Sequence, residues 1–459
     1  FRRIRRDVTH YGDDVLTALE SGRERTPSDD FAEFLDDTST VLRSSTDFAR
    51  FTESQYRKRY RSMRQGQEEF LQRLASFAQV YIVLVFVAPA LVLVLLVLLS
   101  FSGADTLPAV YVTAYVYPVV GVGLSVAALN ALERQVDPPK GKPKDDKEDA
   151  EPPPDSPEYA RYRRTKLRRR VLRLRPSMVR RNPLATVLLT VPVAAVALNA
   201  FFDVVGSGPA GFYSQNPVEG TSVFVAVAVF VGAPVAVLYE LRRREENRFV
   251  DRIPDTYERL AEAVSVGMTP SDACRVVSET VDGKMGDVLR RIHDETSLVG
   301  DVATAFVSAT ERIRVPEFTV TAKTAAETLR ATNDAEAALR SLAQDASARA
   351  EIRSERRGSM ELYGAVVVLG LLTYVATAIL LELFFLPRLT GISEAAETGF
   401  LAPPSATPDD YRTVLFHASL IQGGLNGLFI GKLRSGDIRE GLVYSVVFVV
   451  AITAVFLGI

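Results

Sequence analysis

The chain has 459 residues and a formal net charge of −2, and it is 47% hydrophobic yet 24% charged, a mixture that one soluble domain segregates poorly. Near-neutrality, which extends to residues 241–360, excludes an electrostatic footprint for DNA or RNA, and a single cysteine, Cys274, excludes an internal disulfide framework. The apolar and charged residues must therefore occupy separate stretches of an all-α membrane chain.

No signal-peptide pattern follows Phe1, and we expect a trimmed amino terminus. After a polar segment, 1–75, residues 77–101 carry no charge. At 1.5 Å per residue, a helix of about 25 residues crosses a hydrocarbon core of about 30 Å. Stretches 107–132, 183–202, 221–239, 362–386 and 442–459 behave similarly, with Pro89, Pro118, Pro192 and Pro234 tolerable as kinks. Stretch 414–430 is weaker because it holds His417, Gln422 and Asn426, but without it the flanking loops fall on inconsistent sides. Sixteen basic residues lie between 132 and 183, and the short loop 432–441 has Lys432, Arg434 and Arg439, which puts both inside. Loops 102–106, 203–220 and 387–412 carry almost none until their ends, and the last is acidic (Glu394, Glu397, Asp409, Asp410), which puts these outside. Seven spans result, with the carboxyl terminus outside and the segments 1–75 and 241–360 in the cytosol. The Pro-rich charged stretch 137–158 reads as a disordered tether.

Sliding the sequence along itself shows a repeat at an offset of 287. Asp14, Val15, Thr17, Ala18, Ser21, Glu24, Arg25, Phe31, Leu42, Arg43 and Asp47 pair with Asp301, Val302, Thr304, Ala305, Ser308, Glu311, Arg312, Phe318, Leu329, Arg330 and Asp334. Eleven identities in about 34 positions compare with about two or three by chance. One further residue of shift aligns Arg2-Arg3-Ile4 with Arg290-Arg291-Ile292 and Gly12 with Gly300. In the second copy, Val250, Ile253, Tyr257, Leu260, Ala261 and Val264 recur at helical spacing, and Gly267 offers a left-handed cap. Thr269 is placed to cap the next helix, with Pro270 at its first position and an apolar side of Ala273, Val276 and Val277. Further helices are implied by Val288/Leu289/Ile292, by Val302/Ala305/Phe306 and from Pro316. Thr332-Asn333-Asp334 breaks the pattern and caps a long helix over 335–360 that leads into a span, and Ser45-Thr46-Asp47 is the equivalent break in the first copy. The first copy lacks a counterpart of 251–288.

These residues resemble the F-domain platform proteins of type II secretion and type IV pilus machines, most of all the archaeal pilus and archaellum branch. The resemblance is carried by Ile253-Pro254-Asp255 with Leu260-Ala261, by Val266-Gly267-Met268-Thr269 with Asp272-Ala273, by Arg314-Val315-Pro316 with Leu329-Arg330, and by the 431–441 turn before the last span. Where many members have Gly at the second helix–helix turn, this chain has Thr332-Asn333 and Ser45-Thr46. The resemblance implies a non-enzymatic platform in the cell membrane, with cytosolic domains on a hexameric secretion ATPase and spans that hold prepilin or archaellin subunits. The expected organisation is a first F-domain (1–76), a span pair (77–132), the tether and a basic cytosolic helix (133–182), a second span pair (183–240), a second F-domain (241–361) and three spans (362–459).

Catalytic, cofactor and metal sites are not expected: His10, His293 and His417 share no ligand spacing with Cys274, which itself reads as a small buried residue. Gly427 to Leu433 is no phosphate loop, since its glycine spacing is wrong and Leu433 stands where a hydroxyl must reach magnesium. Gly423, Gly427 and Gly431 recur every four residues and suit close helix approach, within the chain or to a homodimer partner or pilin. Glu382 is expected to reach the outer interface rather than line an ion path. The segment 161–175 is densely basic, so Arg168, Arg169 and Arg170 either lie on anionic membrane lipid as an orientation signal or dock an acidic ATPase face. Arg290, Arg291, Asp294, Glu311 and Arg312 are the remaining partner candidates, because their neighbourhood recurs in both copies. A duplicated secondary transporter is the alternative, and it asks for ionisable or broken-helix residues at the midplane of both halves. A membrane sensor is a third reading, without a visible output domain.

Overall fold

A computed structural model of the chain describes residues 4, 6–44, 48–100, 104, 106–136, 186–206, 208–313, 315–332, 334–388 and 407–458, with the backbone alone at 30, 49, 133–136 and 312. The tether 137–158, the basic segment 161–175 with Arg168, Arg169 and Arg170, the break at 45–47, Arg2, Arg3, Arg314, Asn333, Glu394 and Glu397 lie outside the described residues. Every described element is helical. The chain divides into two compact units, Phe1–Gln72 and Arg73–Ile459.

In the first unit a π-helical turn, Asp7–Tyr11, closes on Gly12, whose φ of 74° is left-handed. Asp14 caps α1 (Val15–Arg25) by accepting from Leu16 N, and Ser28 caps α2 (Asp29–Arg43) by accepting from Phe31 N. Ala18, Leu19 and Leu35 are buried, and the ion pairs Arg23–Asp36 and Arg43–Glu20 join the two helices on their exposed side. α3 runs over Phe48–Ile82.

In the second unit, α10 (Ile253–Ser265), α11 (Pro270–Thr280), α12 (Lys284–Val299), α13 (Val302–Arg312), α14 (Pro316–Ala331) and the start of α15 (Ala335–Leu380) form a bundle. Tyr257, Leu260, Cys274, Leu289, Phe306, Phe318 and Leu342 fill its core, and the small buried side of α14, Ala322, Ala325 and Ala326, lets its neighbours come close. The caps read from sequence are in place. Gly267, at φ 93°, donates to Val264 O while Met268 N reaches Ala263 O, Thr269 accepts from Asp272 N, and Asp334 accepts from Ala337 N. α15 then continues for 46 residues without a break and passes into a π turn, Leu381–Phe385.

A shift of 287 carries the limits of α1, Val15 and Arg25, onto those of α13, Val302 and Arg312, and the first residues of α2 and α3, Asp29 and Phe48, onto those of α14 and α15, Pro316 and Ala335.

Among the described residues seven helices are long and apolar enough to cross a membrane: Arg50–Ser100, Leu107–Leu132, Val187–Val205, Pro217–Ser265, Ala335–Arg388, Pro408–Ser435 and Ile438–Gly458. They contain α3 continued by a π turn (Val83–Val87) into α4 (Ala88–Ser100), then α5 (Leu107–Tyr111) continued by a second π turn (Val112–Val116) into α6 (Tyr117–Val136). α7 (Val187–Val205), the short α8 (Pro209–Gln215), α9 (Pro217–Asp251), α16 (Pro408–Ser435) and α17 (Leu442–Gly458) complete the unit. The span weakest by sequence, α16, is the most deeply buried of the seven. The π turn before Pro89 has a local cause: proline has no N–H, so Leu84 O and Val85 O lose the donors a helix would supply. Tyr117 Oη donates to Leu84 O at 2.6 Å and Gln422 Nε2 to Val85 O at 2.6 Å, which restores both bonds from neighbouring helices.

Candidate functional site

Three arrangements in the second unit gather the polar chemistry: a solvent-facing side of the bundle, a collar where the bundle meets the spans, and a polar seam along α16.

On the bundle, α12 turns Met285, Val288, Leu289 and Ile292 inward, and this leaves Asp287, Arg290, Arg291 and Asp294 exposed on its other side. Its start demands glycine, because a Cβ on Gly286 would lie 2.1 Å from Val281 O. His293 Nδ1 sits 3.0 Å from Ser271 O and fixes the second half of α12 against the first turn of α11. Ser308 donates to Glu295, so α12 and α13 run antiparallel and exposed Glu311 is level with Arg291. Arg290, Arg291 and Asp294 thus share the exposed side of α12, and Glu311 is exposed on the neighbouring α13. The side chain of Arg312 lies outside the described residues. Arg290 lies 3.9 Å from Asp287, a loose pair in solvent worth about 0–1 kcal/mol. Asp301 begins α13 and accepts from Ala303 N at 3.0 Å, from Thr304 N at 3.2 Å and from Arg330 Nη2 at 3.1 Å. The Thr304 hydroxyl above all, then Arg330 and the two N–H groups, hold its carboxyl down to about 2 against a smaller desolvation effect.

The collar was not legible in the sequence. Arg243, near the end of α9, pairs with Glu440 at 2.5 Å and donates to Arg434 O at 3.4 Å. Arg434 also bonds Glu361 of α15 at 3.1 Å and the Tyr444 hydroxyl of α17, and Arg357 lies 3.6 Å from Asp251. These partners are up to about two hundred residues apart, so only the positions of basic residues at span ends hinted at them.

Along α16, the glycine stripe faces α17 and the 3-10 turn Ile438–Gly441 that precedes it in the same chain. A Cβ on Gly423 would lie 2.5 Å from Ile452 Cδ1, on Gly427 2.2 Å from Ser445 N, and on Gly431 2.0 Å from Gly441 N. The flanks of the stripe are polar. Asn426 accepts from the Tyr81 hydroxyl, whose ring stacks on Phe429 at 4.2 Å, and His417 is held between Tyr115 Oη at 2.5 Å and Thr221 Oγ1 at 2.7 Å. Thr106 Oγ1 meets Tyr411 Oη at 3.0 Å. Glu382 is buried in the π turn and pairs with Arg412 at 2.7 Å, a counter-charge that a carboxylate inside a helix bundle needs. Among the described residues no group of three His, Cys, Asp or Glu side chains could hold a metal ion.

Comparison with known families places a type II secretion system (T2SS) protein F domain at residues 256–381, from the second turn of α10 to the end of α15. No curated protein and no solved structure gives a significant match to the chain.

Proposed function

We propose that this protein F domain makes the chain a membrane platform of a type IV pilus-like or archaellum assembly machine, which couples a cytosolic hexameric secretion ATPase to prepilin extraction and filament assembly. One observation carries the reading: the matched region ends with α15, a helix that runs from the bundle core into a span without interruption. Such a helix transmits a tilt or rotation of the bundle to the membrane interior, and the collar of Arg243, Glu440, Arg434 and Glu361 passes it on to α16 and α17. The role is mechanical rather than enzymatic, and the chain sits in the cell membrane with its polar domains in the cytosol.

The coincidence of helix limits at a shift of 287 supports a duplicated F-domain, with the first copy built on α1 to α3. Equivalent capping supports it too, since Asp14 and Asp301 each accept from the N–H two residues on. Prepilin or archaellin subunits, membrane lipid and a second copy are the partners expected around the spans. The test is affinity purification of the full chain from native membranes. The reading expects a secretion ATPase and prepilins in stoichiometric recovery and filaments lost on deletion; normal filaments in the deletion strain would refute it.

A further inference from the structure

Three π turns lie in the spans, and each ends two residues before a proline: Val83–Val87 before Pro89, Val112–Val116 before Pro118 and Leu381–Phe385 before Pro387. Proline alone does not produce them. Pro192 of α7 and Pro234 of α9 also lie inside spans, and both helices run through them as ordinary α-helix. What the three turns share beyond proline is a grip from α16. Gln422 Nε2 donates to Val85 O of the first at 2.6 Å, His417 Nδ1 meets Tyr115 Oη of the second at 2.5 Å, and Arg412 pairs with Glu382 of the third at 2.7 Å. The contact of His417 with α9, at Thr221, lies near the start of that helix, well before Pro234.

The three gripping residues are spaced five apart, and five residues carry a helix about 140° past a full turn and about 7.5 Å along its axis. Arg412, His417 and Gln422 therefore leave α16 on three sides and at three depths, while Gly423, Gly427 and Gly431 set a fourth side against α17 and the turn before it. A π turn holds one residue more than the α-turn it replaces, because each N–H reaches one residue further back. Moving it by one position hands a residue from one half of the span to the other and turns that side chain by about 100°, with the hydrogen bonds of both halves kept.

We infer that the three π turns are movable joints and that α16 is the key that holds all of them in one position, through Gln422, His417 and Arg412. Because one helix carries the three grips, displacing α16 releases them together. Arg434 of α16, bonded to Glu361 of α15 at 3.1 Å, gives the bundle a handle on the key. The inference rests on the platform reading for the force that moves α16, and it locates where the spans yield to that force.

The test deletes the extra residue. Val83 and Val112 open the first and second turns and are 59% and 58% exposed, so loss of either leaves an α-helix with both halves of the span in register. Either full-length deletion variant, solubilised in detergent, elutes and unfolds as wild type does. Deletion of Leu91, in the ordinary helix α4, turns Leu93 and Val97 out of the interior and gives aggregate. In cells, deletion of Val83 or Val112 lowers the number of filaments about tenfold, and Val83→Ala, which keeps the turn, stays within about twofold of wild type. Aggregation of both valine deletions, like that of the Leu91 deletion, shows that the turns hold no extra residue and overturns the inference. Folded deletions with wild-type filament numbers overturn it too and leave the platform reading standing, and an equal loss with Val83→Ala overturns it by assigning the effect to the side chain. Normal filaments in cells without the chain overturn the platform reading and, with it, the role given to the joints.

Discussion

The interior of the bundle and the interior of the spans obey opposite rules. In the bundle the core is Tyr257, Leu260, Phe306, Phe318 and the alanines of α14, and charge lies outside on α12. Among the spans the most buried helix, α16, hides Ser419, Gln422 and Asn426 at 0% exposure, while Leu91, Leu188 and Leu189 point outward. Water drives apolar groups together in the first case. In the second, lipid is as apolar as leucine and supplies no such drive, so close backbone approach and interhelical hydrogen bonds hold the helices. What counts as core therefore depends on the solvent, and substitutions should divide along that line.

The largest effect belongs to close approach. Gly431→Val sets a side chain against the Gly441 backbone, where neither side has a flexible atom to yield, and the α16–α17 hairpin does not form; size-exclusion of detergent-solubilised protein should show aggregate only. Phe306→Ala opens a cavity in the bundle and costs about 3–5 kcal/mol, seen as faster hydrogen exchange throughout α10 to α14 with the spans unaffected. A uniform rise in exchange across both regions would instead show that they unfold together. Gln422→Leu makes the span interior more apolar yet destabilises it by about 1–2 kcal/mol, because Val85 O loses its donor; a raised thermal midpoint would break the comparison.

The smallest effect tests the water-facing side. Asp301 titrates at about 2 in the folded chain against 3.8 unfolded, so its contribution is complete above about pH 4 and is lost as the pH falls toward 2. The side chain is 43% exposed, and after discounting for solvent screening the contribution is about 1 kcal/mol or less. Asp301→Asn should remove that much stability at neutral pH and leave the difference from wild type vanishing at pH 2, measured by thermal unfolding across the range.

Helix ends in the bundle were legible because caps are local: Gly267, Thr269 and Asp334 each announce a boundary within four residues. The spans were legible because length and apolarity suffice. The seam along α16 was not, since hydropathy marks Gln422 and Asn426 as defects in a span when they are its most buried residues. Nor were the π turns: a proline signals a kink, but whether a distant Gln or Tyr heals it depends on which helix lies alongside. The partner of Glu382 was hidden for the same reason, its counter-ion Arg412 being supplied by another helix. The glycine stripe announced close approach but not to what, and α17 with the turn before it proves to cover it.

The one cysteine, Cys274, lies wholly inside the bundle, and burial pushes its thiol up to about 12. Buried from reagent and held as the neutral thiol, it does not compete with a surface thiol for maleimide. The unaltered chain is therefore already a silent background for labelling. A dye or spin probe on a cysteine introduced at Leu298, and a second at Arg439, would report the distance between bundle and span hairpin through a working cycle, with no native residue removed to quiet the signal.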